Sequence, residues 1–339
     1  MAKKLQIGLI GAGRIAREAH IPAWSEYENE ARIEIVADID AGRAKEVSKQ
    51  FGIPRWTSDI RDIIETSELD AVDICLPAPL HAEAIMASLS NAKHVLTEKP
   101  FVLELEDAFE IVHEQEKSGK VLMVAQNWIY SPGVRTMETL LGEGILGEPT
   151  MFVSRYESPL YLGLTSEKAM LDRLRYTGGG FTMAAGVHPL NLALHLLGNI
   201  DEVTGYMSPT SIAGDRLMDR GAVVNAKFHS GAVGSFSFTG ESRQVGPRVM
   251  EVQMHGTHGA AELDIENSRI RWSGGGKTQT VDWEPSLGFS EEIQHFIMCV
   301  NEGCEPKTSG RNQIATVQLI SCIYETFATG SPVKVPSLP

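Results

Sequence analysis

The residues of this chain with the clearest chemical spacing lie near its start. Gly8 to Ala16 reads G-L-I-G-A-G-R-I-A, which puts Gly11, Gly13 and Ala16 in the pattern G-x-G-x-x-G/A. A first glycine allows a tight turn after a strand, and a second lets the backbone approach a pyrophosphate. A small third residue lets the following helix pack closely, and the N-terminus of that helix offers N–H groups to the phosphates. Arg14 and Ile15 fall inside this turn and join the candidate nucleotide contacts. Roughly 20 residues later, where a ribose-binding acid is expected, the apolar run Ile33 to Ala37 ends in Asp38. A carboxylate there accepts from a ribose 2′-hydroxyl and repels a 2′-phosphate, so NAD is favoured over NADP. Arg43 and Lys45 are near enough to meet a 2′-phosphate, but a solvated helix face accounts for them more simply. Lys99, between Glu98 and Pro100, follows another apolar run and shares a rim with the proposed nucleotide.

These positions need a frame that brings strand ends together. Leu5 to Ile10 reads as a buried strand and Arg14 to Trp24 as a helix. Residues 41–50 then read as an exposed helix, Leu69 to Pro77 as an apolar strand, and the turn from Ala78 as leading through His81 into a helix ending near Asn91. Lys93 to Leu96 is a strand, 101–120 a helix and Val121 to Gln126 a further strand. Such alternation predicts a doubly wound parallel α/β sheet, with ligands beyond the carboxyl ends of its strands. Gly11, Asp38, Leu76, Pro77, Glu98 and Lys99 all fall at such ends. The first domain is expected to span 1–125 and the second 126–339. The second opens with a helix inside 127–147, and Thr150 to Ser158 begins a different texture. From Val203 onward, alternating strand-like runs separated by glycines predict a large, mostly antiparallel sheet with one packed face. Met250, Val252 and Met254 form one apolar stripe, read as packing against a helix of the same chain.

The chain has 339 residues and a formal net charge of −14 with no basic block. Phosphate binding along nucleic acid, or attraction to an anionic membrane, needs clustered Lys and Arg, so neither partner is expected. No apolar run reaches the roughly 18 residues of a membrane span, and the first strand lacks the cleavage site of a signal peptide. Cys75, Cys299, Cys304 and Cys322 include no C-x-x-C pair, which fits reduced thiols in a cytoplasmic protein. His255 and His258 superficially suggest a metal pair, but the glycine turn around them favours a hairpin, and no metal site is expected.

Together, the glycine turn, Asp38, D-A-V-D-I-C-L-P-A-P-L-H and K-H-V-L-T-E-K-P resemble the glucose-fructose oxidoreductase / inositol dehydrogenase / MocA family. The resemblance continues through Gly178-Gly179-Gly180 and Gly186-Val187-His188, through G-T-H-G at 256–259, and through the closing helices of 289–335. It implies an NAD(P)-dependent oxidoreductase of sugars, cyclitols or related polyols. It further implies a Rossmann domain followed by an α+β domain with an open sheet, and a homodimer or homotetramer formed through that sheet. No nucleic acid or membrane partner is implied.

Oxidising a secondary alcohol needs a hydride acceptor and a base for the hydroxyl proton. Lys99 can donate to the substrate oxygen and favour alkoxide-like charge. His188, with an unperturbed pKa near 6.5, suits a base and falls where the family carries its catalytic histidine. His195 is read as a packing residue. Many relatives of this kind carry an aspartate four residues before that histidine; here the position is Ala184, and a second frequent acid is Asn191. Tyr161, Asp172, Arg173 and Arg175 are candidates to compensate from the preceding loop, unless the substrate itself supplies the group. Asn127, Trp128 and Tyr130 are further lining candidates, Trp128 either stacking on a sugar face or packing a hinge. His81 either meets the nicotinamide or starts a helix. Two other functions stay open: a redox-neutral sugar isomerase, lyase or glycosidase with tightly held NAD, and a non-catalytic sugar- or nucleotide-binding regulator.

Overall fold

The computed structural model describes residues 4–338 apart from 165, 209–210, 214–215 and 244–247; Lys3 lies outside the described residues. The chain forms two compact units, Met1–Gln126 with Phe289–Ile314, and Asn127–Gly288 with Ala315–Pro339. The return of 289–314 to the first unit departs from a single division at 125.

In the first unit, strands β1 (Leu5–Ile10), β2 (Ala31–Ala37), β3 (Arg55–Thr57), β4 (Ala71–Ile74), β5 (His94–Glu98) and β6 (Leu122–Ala125) make one sheet. Its order is β3-β2-β1-β4-β5-β6 and every pairing is parallel. The connecting helices are α1 (Ile21–Glu26), α2 (Ala41–Phe51), α3 (Arg61–Ile64), α4 (His81–Ser90) and α5 (Leu105–Ser118). The core strands are mostly apolar because helices cover both faces of such a sheet. Short β3 and α3 carry too little apolar signal to stand out in the sequence.

The return segment explains itself physically. Its helix buries Ile293, Phe296, Ile297 and Cys299 on one face, and Phe296 meets Trp24 edge-on with centroids 6.1 Å apart. Each large apolar side chain buried this way contributes about 1.5–3 kcal/mol. Further on, Thr308 O accepts the Val124 N–H at 2.9 Å, which covers the free edge of β6.

The second unit holds α6 (Pro132–Gly142), α7 (Glu167–Thr177) and α8 (Val187–Leu197). The helix of the return segment is then α9 (Phe289–Glu302), and α10 (Gly310–Thr329) crosses the division of the chain. Strands β7 (Pro149–Glu157), β8 (Ile200–Met207), β11 (Gly221–Phe228), β12 (Val233–Thr239), β13 (Val249–Gly256), β14 (Ala260–Asp264), β15 (Arg269–Gly274), β16 (Lys277–Asp282) and β17 (Val333–Lys334) form the large sheet. Its order is β16-β15-β14-β13-β7-β12-β11-β8-β17. Only β7 and β12 pair in parallel. The short β9 (Ser211–Ala213) and β10 (Arg216–Met218) pair separately.

One face of this sheet is packed. Met250, Val252 and Met254 are buried beside Tyr156, Ser154 and Phe152 of β7, on the side where α6 and α8 lie. The opposite face is open and exposes Met151, Tyr206, Val223 and Val233. The 256–259 segment is the tight loop of the β13–β14 hairpin, with the Gly256 N–H bonded to Gly259 O at 2.8 Å.

Helices α1 and α8 each contain a proline near their start, which removes a donor and crowds the carbonyl four residues back. Each is preceded by a π-turn: Ala16–His20 before Pro22, and Thr182–Gly186 before Pro189. Such turns re-aim the residues at their ends. Here His20 ends the first turn, and His188 follows the second by two residues.

Candidate active site

Gly11 follows β1 with φ +99° and donates its N–H to Ala37 O at 2.8 Å. A Cβ there would sit 2.5 Å from Cys75 O, so only glycine fits. A Cβ on Gly13 would meet nothing within 4 Å, so the turn has open space on that side. Ala16 is fully buried, as close helix packing requires. Arg14 is exposed and pairs with Glu18 at 3.3 Å, and Ile15 is half-buried.

Asp38 is held in place by three groups. Its carboxylate accepts the Ala12 and Asp40 N–H groups, each at 2.9 Å, and lies 3.0 Å from Arg43 Nη2. The Ala12 bond ties the glycine turn to the end of β2. Arg43 is therefore not a bare solvated side chain: Asp40 caps α2, and the first turn of that helix swings the guanidinium back to Asp38.

The parallel pairing brings Gly11, Asp38, Leu76, Pro77 and the Glu98–Lys99 turn to the carboxyl edge of one sheet. These residues fit a dinucleotide: a turn that excludes Cβ, a clear face at Gly13, and a fixed carboxylate. Leu76 and Pro77 are half-buried there. His81 takes a different role from a nucleotide contact. It is fully buried, with Nδ1 2.8 Å from Pro100 O and Nε2 2.9 Å from Leu76 O. It staples the turn after β4 to the turn after β5.

Lys99 is half-buried, and the Lys99–Pro100 peptide is cis. Its backbone N–H donates to Glu98 Oε2 at 3.0 Å. The other oxygen of Glu98 lies 3.0 Å from His20 Nε2. His20 Nδ1 is 2.9 Å from Asp73 Oδ2, which also accepts the Trp24 indole N–H at 2.8 Å. Cys75 Sγ is 3.7 Å from Asp73 Oδ1. Burial opposes charge on His20, but the Asp73 charge and hydrogen bond carry its pKa well above the ordinary value. Burial likewise opposes ionised Glu98, yet the His20 hydrogen bond and the Lys99 charge hold its carboxyl below the usual range. Glu292 of α9 is fully buried nearby, and burial pushes its carboxyl well up. Sequence reasoning missed this network. The signal was available: Asp73 sits inside an apolar strand and must find a donor.

Within the first unit, Gly11, Asp38, Pro77 and Lys99 thus lie along one edge of the sheet. In the second unit, His188 is buried one residue into α8 and stacks on Trp128, with ring centroids 5.2 Å apart and planes 10° apart. Trp128 also meets Tyr156 at 5.2 Å. The tryptophan thus fixes the imidazole plane and packs inside this unit. Tyr130 is buried beside it in the chain. Asn127 is buried and donates to Leu287 O at 2.7 Å.

The residues proposed to compensate for Ala184 are differently placed. Residues 167–177 are a helix rather than a loop. Asp172 pairs with Lys168 at 2.6 Å and Arg175 at 3.6 Å, and Arg175 is 78% exposed. Tyr161 is fully buried against Phe181, beneath the Arg173 guanidinium. Ala184 itself is buried within the π-turn, so its spacing of four from His188 is not one α-helical turn. Asn191 donates to Thr316 Oγ1 at 2.9 Å, and His195 is bound to Glu138 at 2.6 Å.

A second group invisible to sequence reasoning anchors the segment leading to His188. Asp219, fully buried, accepts the Thr182 N–H at 2.8 Å, the Thr182 hydroxyl at 2.9 Å and the Tyr324 hydroxyl at 2.8 Å. Gly180 must lack a side chain because a Cβ would meet Asp219 at 2.1 Å.

The fold and the nucleotide rim define an NAD-binding Rossmann oxidoreductase. Residues 5–126 match the family model "Oxidoreductase family, NAD-binding Rossmann fold", and residues 134–262 match "GFO/IDH/MocA C-terminal domain". The chain belongs to the Gfo/Idh/MocA oxidoreductase family. It is similar to D-apiose dehydrogenase of Paraburkholderia graminis, with 28% identity over 99% of this chain and 91% of that one. It is also similar to scyllo-inositol 2-dehydrogenase (NAD(+)) of Bacillus subtilis, with 23% identity over 99% and 97%. The solved complex of levoglucosan dehydrogenase with NADH and levoglucosan shares the fold at a TM-score of 0.90 and 23% identity, covering 99% of this chain and all of that one. Among the described residues, no helix is long and apolar enough to cross a membrane.

Proposed function

We propose that the protein oxidises a secondary alcohol of a sugar, cyclitol or related polyol, with Lys99 and His188 assisting proton transfer. The observation that carries this reading is the Lys99 turn, held at the carboxyl edge of the NAD-binding sheet by the Glu98 carboxylate. Bound NAD supplies the hydride acceptor. The Lys99 ammonium donates to the substrate oxygen and stabilises the negative charge that grows there as the C–H bond breaks. His188 takes up the hydroxyl proton, and the Trp128 stack keeps its ring in one plane. The polyol class rests on the relatives, which are named for D-apiose, D-xylose and inositols.

A panel of D-apiose, D-xylose, scyllo-inositol, myo-inositol and levoglucosan, followed by NADH formation, tests the substrate class. Lys99→Ala and His188→Ala are each expected to lower turnover by about 10² to 10⁴ while leaving NAD affinity nearly unchanged. Lys99→Ala with normal turnover would overturn the assignment, as would the absence of NADH with every alcohol of the panel.

The same reading includes a homo-oligomer formed through the open sheet face, whose exposed Tyr206 and Val223 pair across β8 and β11. Light scattering that returned a monomer at micromolar concentration would reject it. It also includes a cytoplasmic location, where free cysteines stay reduced. Recovery of the native protein outside the cytoplasm on cell fractionation would reject that.

A further inference from the structure

His20 presents both ring nitrogens to carboxylates. Nδ1 lies 2.9 Å from Asp73 and Nε2 lies 3.0 Å from Glu98. Ionised carboxylates only accept hydrogen bonds, and a neutral imidazole has one N–H to give. A ring between two such carboxylates carries both protons, in keeping with a His20 pKa that the Asp73 charge and hydrogen bond raise against burial.

Every element packed around it contributes. The helix of His20 supplies Trp24, whose indole N–H also holds Asp73. Strand β4 supplies Asp73 and Cys75, and β5 supplies Glu98. Helix α9 supplies Glu292 and the Phe289 ring, 6.0 Å from the imidazole. Burial pushes the Glu292 carboxyl well above its usual range. The Lys99 charge helps hold the Glu98 carboxyl below its usual range. The connection ends on the Lys99 backbone, through the second oxygen of Glu98.

We propose that His20 is a positioning residue for Lys99: its imidazolium fixes the Glu98 carboxylate, which in turn holds the Lys99 backbone and sets the charge beside that residue. The glycine-turn helix is thereby coupled to the proton-handling lysine. A fixed carboxylate keeps the lysine loop in one register, and an imidazolium behind that carboxylate moderates how strongly it holds the lysine proton. The inference rests on the role given to Lys99 above.

The test follows the Lys99 amine itself in the intact protein. Trace labelling with acetic anhydride across a pH series, with Lys99 read by mass spectrometry, reports the midpoint of its deprotonation without any substrate. Glu98→Gln removes the neighbouring anion and keeps a carbonyl for the Lys99 N–H; the midpoint is expected to fall by about half a pH unit or more. His20→Gln leaves Glu98 ionised but no longer neutralised from behind; the midpoint is expected to rise by a similar amount. Half a unit is about a threefold change in reactive amine.

With a substrate from the panel, both variants are expected to lose about tenfold or more in kcat with little change in KM for NAD. A His20→Gln profile superimposable on wild type, in a protein that melts normally, would overturn the proposal. Should His20→Gln not fold, Glu98→Gln carries the test, and an unshifted midpoint there overturns it equally. Lys99→Met run in parallel separates the two ideas. If that variant keeps turnover, the catalytic reading of Lys99 fails; if it loses turnover while the labelling profiles do not move, only the positioning role fails.

Discussion

Replacing Asp219 with alanine tests how the segment before His188 is held. The carboxylate accepts three hydrogen bonds, from the Thr182 N–H, the Thr182 hydroxyl and the Tyr324 hydroxyl, all within 2.9 Å. Asp219→Ala strands three buried donors at once. Each unsatisfied buried group costs roughly 1–3 kcal/mol, and relaxation or an entering water recovers part of the sum. The expected loss is about 3–5 kcal/mol. In a domain of about 150–250 residues this is a fall of very roughly 6–20 °C in Tm. Burial already pushes the Asp219 carboxyl upward, so its charge is poorly solvated in the native state. Asp219→Asn retains most of the hydrogen bonds without that charge, and its loss is expected to stay within about 1 kcal/mol. Thermal and urea melts give the stabilities. Hydrogen exchange over 180–190 gives the local consequence, since the π-turn should open before the rest of the second unit. Alanine and asparagine variants of equal stability, or an Asp219→Ala protein with unchanged protection at 180–190, would refute the account of Asp219 as the anchor.

Asp38→Ala removes the acid at the end of β2 and releases Arg43; NAD affinity is expected to fall by about 10- to 100-fold, while the NADP/NAD affinity ratio rises more than about tenfold. Nucleotide titrations of both cofactors decide it, and an unchanged ratio counts against a ribose role for Asp38. Gly11→Ala forces a side chain into φ +99° and to 2.5 Å from Cys75 O, so a loss of about 1–3 kcal/mol or more and weak NAD binding are expected in melts and titrations. Burial lowers the His94 pKa to about 4, and its Nδ1 accepts the Val121 N–H in the neutral form. Because the folded pKa lies below the unfolded value near 6.5, this contribution is present above pH ~6.5 and lost as pH falls toward ~4. The full shift is worth roughly 3 kcal/mol, and partial exposure trims it to about 1–2 kcal/mol. Melts at about pH 7 and about pH 4.5 should therefore show less acid sensitivity in His94→Gln than in wild type; equal sensitivity would rule out the contribution.

Much of the first unit is legible in the amino-acid order because its information is local. The G-x-G-x-x-A turn, the acid after β2 and the lysine after β5 sit at strand ends, and parallel pairing of apolar runs can only bring those ends to one edge. The alternation of Met250, Val252 and Met254 announces a sheet with one packed face for the same reason, a period of two read along one strand. What tertiary structure decided are the partners of buried polar groups, which lie far apart in the chain. His20 meets Asp73 and Glu98 across 53 and 78 residues, Asp219 meets Thr182 across 37, and Tyr324 reaches Asp219 across 105. Sequence periodicity carries no record of such pairings. It also left His81 as a possible nicotinamide contact, whereas burial makes it a staple between two carbonyls, and it left Tyr161 as a substrate group, whereas packing places it in the core. Chain order thus determined which residues reach the nucleotide edge. The folded packing determined which of the remaining polar residues stay charged, which are neutral, and which only hold others in place, because burial and pairing across the chain set those properties.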